Sequence, residues 1–466
     1  MCGVVGIYNH REAANLAYLC LAAEQHRGQE SAGIVTAENA TLHQHRAMGL
    51  VQDVFPPDVM VKLTGRNAIG HVRYSTTGSS TIENAQPFIV RGQGHWFALA
   101  HNGNLTNAAV LRKRLEEEGA IFQSTMESEV IMHLLAKQNS GSVVDRMTAA
   151  LKQVEGAYSL VFLADGMLVA ARDPKGFRPL IIGKLGDAFV VVSETCALDL
   201  IDAEFVREIE PGEIVLFDAN GIHASKPFPL QQKKAHCIFE YIYFARPDSH
   251  IFGRDVYPIR KGFGRQLAKE NPVAADVVIP VPDSGVPAAL GFAEASGIPY
   301  EMGLIRSHYV GRTFIEPKNE IRHFGVKIKM NPVREVLQGK RVVVVDDSIV
   351  RGTTSKKIVH LIRKAGAKEV HVRISSPPTA WPCFYGIDTP TREELSAANM
   401  SVEETRQFIG ADSLAYLSQE GLYWFEKLEK REWFCDACFT GNYPVPLTDA
   451  PHIMDLARSR KCSSPS

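Results

Sequence analysis

The chain has 466 residues, which at roughly 150 residues per domain implies two or three domains. Hydrophobic residues make up 45%, charged residues 22%, and Lys+Arg 51 against Asp+Glu 52 leaves −1. This balance excludes disorder, collagen-like structure and a global pull toward nucleic acid or acidic lipid. No apolar run approaches the ~18 residues of a membrane span, and MCGVVGIYNHRE lacks a basic-then-apolar leader; the expectation is a cytoplasmic protein.

The first half, to about residue 230, is rich in short β-type runs: CGVVGIY, SAGIVTA, HWFALAHN, YSLVFLAD, MLVAARD, FVVVS and GEIVLFD. Helical patterns stand near 107–117, 126–139 and 143–154. Hairpin-like pairs beside grouped helices predict an α+β layered domain with antiparallel sheets, spanning 2–230. PFPLQQKKAH marks a boundary, and 231–255 reads as an interdomain segment.

Beyond it the pattern changes. DVVIPVP and RVVVVDD are continuous apolar strands, GVPAALGFAEAS is a helix ending at Gly297, and TTSKKIVHLIRKAG is an amphipathic helix ending at Gly366. EVHVRISS follows as a strand. Alternation of this kind predicts a doubly wound parallel α/β domain over 256–390. TREELSAA, SVEETRQFIG, SLAYLSQEG and LYWFEKLEK read as C-terminal helices within 391–457, and 458–466 as a disordered tail.

Eight cysteines stand at 2, 20, 196, 237, 383, 435, 438 and 462. In a long chain without a leader, metal or catalytic roles outrank disulfides. Removal of Met1 is expected, which would place a thiol and a free α-amine on Cys2. An α-amine of pKa about 7.7–8.0 can serve as base for its own thiol. Alone, an early cysteine reads rather as a small apolar core residue.

Four further segments bear on Cys2. HRGQESAGI carries Arg27, Gly28 and Gly33; GHVRYSTTG carries Arg73; AHNGNLTN carries Asn102 and Gly103; STMESEV carries Glu127 and Glu129. Together they resemble the N-terminal-nucleophile glutamine amidotransferase domain, with its αββα layers. The resemblance implies Cys2 as nucleophile, Asn102 and Gly103 as oxyanion donors, and Arg27, Arg73 and Glu127 as the glutamine-binding set. The family pattern has Asp where this chain has Glu127, one methylene longer. Glu129 reads as a structural acid or a partner behind the site.

In RVVVVDDSIVRGTTS a strand ends in Asp346 and Asp347, followed by Ser348, Gly352, Thr353 and Thr354 at a helix start. Such acids suit vicinal sugar hydroxyls and a magnesium-bound substrate, and such donors suit a phosphate. The segment resembles the phosphoribosylpyrophosphate fingerprint of type I phosphoribosyltransferases. VIPVPDSGVP, with Asp283, Ser284 and Gly285, reads as a pyrophosphate loop, and Ser284, Asp346 and Asp347 as the Mg2+ set. The basic stretch 306–332, with Arg306, Arg312, Lys327 and Lys329, reads as a closing flap or a solvated connection. No GxxxxGK[ST] occurs, so nothing points to an ATP-driven step.

Cys435 and Cys438 form a C-x-x-C; Cys237 and Cys383 lie far away in sequence. Four thiolates suit zinc or an iron–sulfur cluster. These positions resemble the cluster ligands of the iron–sulfur branch of the glutamine phosphoribosylpyrophosphate amidotransferases, implying a [4Fe–4S] cluster on Cys237, Cys383, Cys435 and Cys438. Cys20 and Cys196 read as packing residues.

Over nearly the whole chain the resemblance implies conversion of glutamine, phosphoribosylpyrophosphate and water to 5-phosphoribosylamine, glutamate and pyrophosphate. It also implies purine nucleotide inhibitors, a homotetramer, and no nucleic-acid or membrane partner. Segment 237–249, CIFEYIYFARPDS, is expected to line an ammonia channel or to be interface core. The alternatives are another amidotransferase that shares the glutaminase domain, and a non-catalytic homologue that binds phosphoribosylpyrophosphate or nucleotides.

Overall fold

The computed structural model describes residues 2–449 apart from 39–40, 75–79, 93–94, 139, 230–232, 308–329 and 390. The first half is built from strands whose side chains alternate between two cores. In strand Gly3–Tyr8, Val4 faces the core between two sheets while Val5 and Ile7 face a helix-covered core. This period of two, repeated strand by strand, yields two stacked antiparallel sheets.

Among the described residues the first sheet has seven strands. Gly3–Tyr8 lies at its centre, between Ala188–Val192 and Asn67–Arg73. The second has six, with His95–Leu105 paired to Gly156–Ala164 and to Phe88–Gly92. Val35, Ile69 and Val191 of the first meet Ala98, Val161, Leu163 and Phe217 of the second. Helix Ala13–Ala23 covers the outer face of the first sheet. Helices Ala108–Glu117, Ser128–Ala136 and Val143–Leu151 cover that of the second. The expected αββα layering is present.

The second half holds a parallel sheet in the order Val277–Pro280, Arg341–Asp346, Glu369–Ile374, Ser413–Tyr416. One face packs Val278, Val343 and Val345 against helices Val256–Glu270 and Val286–Ser296. The other packs Val342, Val344 and Val370 against helix Thr353–Lys364 and Ile409. Both faces are covered, which is why these strands read as unbroken valine runs. Gly297, at φ 72°, ends its helix as expected.

The C-terminal part departs from expectation in two elements. SLAYLSQEG does not form a helix: Ser413–Tyr416 is the fourth parallel strand, and only Gln419–Leu422 is helical. Short apolar runs are ambiguous in period, and the open edge of Glu369–Ile374 supplied a ladder of partners. LYWFEKLEK likewise yields only the short helix Leu428–Arg431, whereas SVEETRQFIG forms helix Val402–Ile409 behind a Ser401/Glu404 capping box. Cys462 and the expected tail lie outside the described residues.

Candidate functional site

Cys2 immediately precedes the central strand Gly3–Tyr8 and is buried. Its N–H donates to Asn102 Oδ1 at 3.3 Å, and its Sγ stands 3.9 Å from the Tyr74 carbonyl oxygen. Asn102 comes from the other sheet, on strand His95–Leu105, opposite Ser159. Its Nδ2 is buried with no hydrogen-bond partner. An amide donor desolvated without compensation costs about 1–3 kcal/mol, so a partner arriving as an anion would be bound strongly there. Gly103 follows, where a Cβ would lie 2.0 Å from the Ala157 carbonyl oxygen. Only glycine brings this backbone so close to its neighbour.

Arg73 and Glu127 stand on one side of Cys2. Arg73 ends strand Asn67–Arg73, fully buried, with Nη2 3.4 Å from Met126 Sδ and Nη1 3.9 Å from Glu30 Oε2. Glu127 Oε1 lies 3.8 Å from His101 Nδ1, and its Oε2 has no hydrogen-bond partner. Burial, reinforced by Cys2, pushes the Glu127 carboxyl up to about 7, against the pull of Arg73 and Arg112. Burial also holds His101 down to about 4, so it stays neutral beside Ser128 Oγ at 2.9 Å. A buried guanidinium and a buried carboxyl that act on each other and on Cys2 match the two charged ends of an α-amino acid.

Arg27 and Glu129 face elsewhere. Arg27 is fully buried behind the nucleophile; its Nε donates to the Cys2 carbonyl at 3.1 Å, and Glu194 and Glu240 take its remaining face. Its role in this structure is to hold the Cys2 main chain. Glu129 accepts the Gln123 and Ser124 N–H groups at 2.7 and 2.8 Å and the Ser124 hydroxyl at 2.6 Å. Burial alone would raise this carboxyl, yet those bonds and His133 hold it down at about 2.

The second constellation sits at the C-terminal ends of neighbouring parallel strands, where open α/β sheets place their ligands. Asp346 and Asp347 end strand Arg341–Asp346; the Asp347 N–H donates to Asp346 Oδ1 at 2.9 Å, and the Ser348 hydroxyl to Asp347 Oδ2 at 2.5 Å. Burial and the adjoining Asp347 hold the Asp346 carboxyl well above the usual range. Gly352, at φ 74°, opens helix Thr353–Lys364, whose first turn carries Thr353 and Thr354 with unclaimed N–H groups.

The Asp283–Gly285 turn adjoins this edge. The Val281 N–H donates to the Val345 carbonyl at 2.8 Å, and a Cβ on Gly285 would lie 2.5 Å from that oxygen. Asp283 pairs with Arg306 at 2.5 Å, and Ser284 lies between them in the turn. Leu304–Arg306 and Met330–Pro332 pair at the base of the expected flap. Arg312, Lys327 and Lys329 lie outside the described residues.

The four expected cluster cysteines also converge. Cys237 and Cys435 are register partners in a short parallel pair. The Cys435 and Cys438 thiols, pushed up by burial, feel Cys237 and Cys383 electrostatically. Burial likewise pushes Cys237 up to about 11. The Tyr385 N–H donates to Cys383 Sγ at 3.4 Å. Among the described residues no three His, Cys, Asp or Glu side chains are spaced for a single metal ion. Cys20 and Cys196 are buried in helices Ala13–Ala23 and Thr195–Leu200, as packing residues.

Comparison with known proteins is decisive. Residues 71–200 match the model of a glutamine amidotransferase domain and 264–375 that of a phosphoribosyl transferase domain. The amidophosphoribosyltransferase of Bacillus subtilis (strain 168) is 49% identical over 469 residues, which cover 98% of each chain. The chloroplastic amidophosphoribosyltransferase 1 of Arabidopsis thaliana is 54% identical, over 96% of this chain and 79% of that one.

The chain belongs to the amidophosphoribosyltransferase family.

A solved structure described as the allosteric regulatory enzyme of purine biosynthesis superposes at a TM-score of 0.92 and 49% identity, over 97% of this chain and 98% of that one. The Bacillus subtilis glutamine phosphoribosylpyrophosphate amidotransferase complexed with ADP and GMP gives 0.90 at 49% identity, over 96% and 98%. Amidophosphoribosyltransferases are glutamine-dependent pentosyltransferases, and near-complete coverage supports the catalytic reading over a non-catalytic binding homologue.

In this amidophosphoribosyltransferase the two constellations meet at a five-residue π-helical turn, Glu240–Phe244. Phe244 lies 4.8 Å beneath the Arg27 guanidinium. Tyr243 is 48% exposed, and its hydroxyl is raised to about 12 by desolvation and then by Asp347, Tyr74 and Asp346. Buried Arg260 donates to the Tyr241 and Ala245 carbonyls at 2.8 and 3.0 Å. Glu240, Arg178, Glu194 and Arg260 carried no signal in the sequence: no local pattern marks an ion pair whose partners lie 167 or 213 positions apart.

Proposed function

We propose that the protein makes 5-phosphoribosylamine, glutamate and pyrophosphate from glutamine, phosphoribosylpyrophosphate and water, the first committed step of purine nucleotide synthesis. The observation that carries the glutaminase half is Asn102: one side-chain atom holds the Cys2 N–H while the other is a buried, unpartnered donor.

In this reading Arg73 takes the α-carboxylate of glutamine and Glu127 the α-ammonium. The free α-amine of Cys2, once Met1 is removed, accepts the thiol proton. The thiolate attacks the side-chain amide carbon, and the oxyanion is received by Asn102 Nδ2 and the Gly103 N–H. The amine returns the proton to the departing nitrogen, which leaves as ammonia. Water then cleaves the thioester, giving glutamate and the restored thiol.

Ammonia attacks the sugar carbon of phosphoribosylpyrophosphate and displaces pyrophosphate. Asp346 and Asp347 hold the ribose side, the loop from Ser348 to Thr354 the 5-phosphate, and Asp283–Gly285 the pyrophosphate. Arg312 and Lys329 of the flap complete the pocket and exclude water. Mg2+, held through Asp346, Asp347 and Ser284, would neutralise pyrophosphate charge. Segment 237–249 lines the ammonia path; the placement of Tyr243 and Phe244 between the centres supports this.

A [4Fe–4S] cluster on Cys237, Cys383, Cys435 and Cys438 would tie three segments together as a structural element. The pairing of Cys237 with Cys435 and the electrostatic coupling of Cys438 to the other three thiols support a shared site, and the resemblance favours iron–sulfur over zinc. Purine nucleotide inhibition is part of the same reading, in line with the ADP and GMP bound by the Bacillus relative; so are a homotetramer and a cytoplasmic location.

Anaerobically purified protein should release glutamate and pyrophosphate together, each dependent on phosphoribosylpyrophosphate. Glutamate without that dependence would indicate a different amidotransferase, and neither product a non-catalytic homologue.

A further inference from the structure

Glu240 is fully buried, and it contacts two fully buried arginines. Its carboxylate accepts Arg27 Nη2 at 2.8 Å and Nη1 at 3.1 Å, and Arg178 Nη1 at 3.4 Å. Each arginine then ends on a backbone carbonyl. Arg27 Nε donates to Cys2 at 3.1 Å. Arg178 Nη2 and Nε donate to Tyr385 at 2.8 and 3.2 Å.

Tyr385 adjoins the reaction centre from the far side. The next residue, Gly386, lies so close that a Cβ there would be 2.9 Å from the Gly103 carbonyl carbon. The carbonyl before it, Phe384, accepts Asn104 Nδ2 at 2.9 Å. The segment 384–386 therefore backs the strand end that presents Asn102 and Gly103. Two guanidiniums, Arg27 and Arg178, face two carboxylates, Glu194 and Glu240. Buried Glu24 beside them is held up to about 8 by burial and adds no charge at pH 7. A balanced, fully hydrogen-bonded cluster of this kind fixes geometry at little net gain in stability.

We propose that Glu240 is a positioning residue for glutamine hydrolysis: one carboxylate fixes the distance between the nucleophile, through Arg27, and the oxyanion donor, through Arg178, Tyr385 and Gly386. It sits at the start of the turn that carries Tyr243. π-Helical turns are rare and cluster at functional positions. The inference rests on the glutaminase reading given above.

The test compares wild type, Glu240→Gln, Glu240→Asp, Gly386→Ala and Arg178→Lys. Glutamine-dependent and ammonia-dependent synthesis are measured separately, since added ammonia bypasses Cys2. Misplacement of reacting groups by ~1 Å costs on the order of 10²-fold. Glu240→Gln should lower glutamine-dependent kcat by about that factor. KM for glutamine and the ammonia-dependent rate should stay within about threefold of wild type, a split that general destabilisation does not give. Glu240→Asp, which keeps the charge, should recover part of the loss. Gly386→Ala, strained at φ 104° and pressed onto Gly103, should also lower glutamine-dependent kcat; if Glu240→Gln does not fold, Arg178→Lys, which keeps the charge but gives up the two hydrogen bonds to the Tyr385 carbonyl, decides the matter by the same split of the two activities. A Glu240→Gln protein with wild-type glutamine kcat, or with both activities reduced in parallel, overturns the inference. Wild-type protein that releases no glutamate overturns the glutaminase reading instead.

Discussion

The Cys2 N–H and the Asn102 carboxamide oxygen, 100 positions apart, lie 3.3 Å from each other. That bond joins the residue ahead of the central strand of one sheet to a strand of the other, and it leaves Asn102 Nδ2 buried without a partner. Replacing Asn102 by Ala should lower glutamine-dependent kcat by on the order of 10²–10³. KM should move far less, because the donor acts on charge that develops only in the transition state. Replacing Cys2 by Ser or Ala should abolish glutamine use and spare ammonia-dependent synthesis. Steady-state assays with each nitrogen source check both, and a Cys2→Ala protein that still releases glutamate refutes the assignment.

Glu127 makes glutamine use pH-dependent. Its carboxyl stands at about 7 in the folded protein against an ordinary value of 4.5, and only the carboxylate pairs with an α-ammonium. Because the Cys2 α-amine must also be unprotonated, kcat/KM for glutamine should rise about a hundredfold per pH unit below about 6 and level off only above about 9. The sign for stability is opposite. The folded state holds this proton more tightly than the unfolded chain, so the contribution is full below pH 4.5 and is lost as pH rises through about 7. Glu127→Gln should therefore bind glutamine poorly yet gain thermal stability over wild type as pH passes 7. Melting temperatures from pH 5 to 8 that run parallel for the two proteins would refute this.

Gly28 shows why a motif glycine is needed. A Cβ there would lie 2.5 Å from the Val72 carbonyl carbon and 2.6 Å from the Arg73 nitrogen. Gly28→Ala should displace the strand end that carries Arg73. A rise in KM for glutamine of about tenfold, equivalent to about 1.4 kcal/mol of lost binding, is the expected result, with phosphoribosylpyrophosphate KM unchanged.

The thiol set is tested by composition. Anaerobic protein should contain iron and sulfide and absorb in the visible, and Cys383→Ser should lose both. Zinc without iron or sulfide would reassign the site.

Asp449 caps a distant helix. Its carboxylate accepts the Ala109 and Val110 N–H groups at 2.6 and 3.2 Å, while its own N–H donates to Thr106 at 2.7 Å. Asp449→Ala should cost about 1 kcal/mol, read as a lower urea midpoint at constant slope.

Much of this was legible in the sequence where the information is local. The unbroken valine runs announced a sheet covered on both faces, and Asp346–Thr354 carries its whole constellation within one strand, loop and helix start. Cys2, Arg73, Asn102 and Glu127 could be nominated because each sits in its own motif. What stayed hidden depends on three dimensions. Ser413–Tyr416 became a strand because a sheet edge was waiting for it. The engagement of Arg27 with Glu194 and Glu240 cannot be read from HRGQESAGI, since both partners come from beyond residue 190.

The contact between Asn104 and Phe384 spans 280 positions. A nascent chain that has emerged only through its first two sheets already contains Cys2, Arg73 and Asn102. It still lacks the carbonyls that anchor Arg178 and Asn104, and the glycine that rests on Gly103. The backbone packing around Gly103 and Asn104 is thus complete only once residues 384–386 have been made.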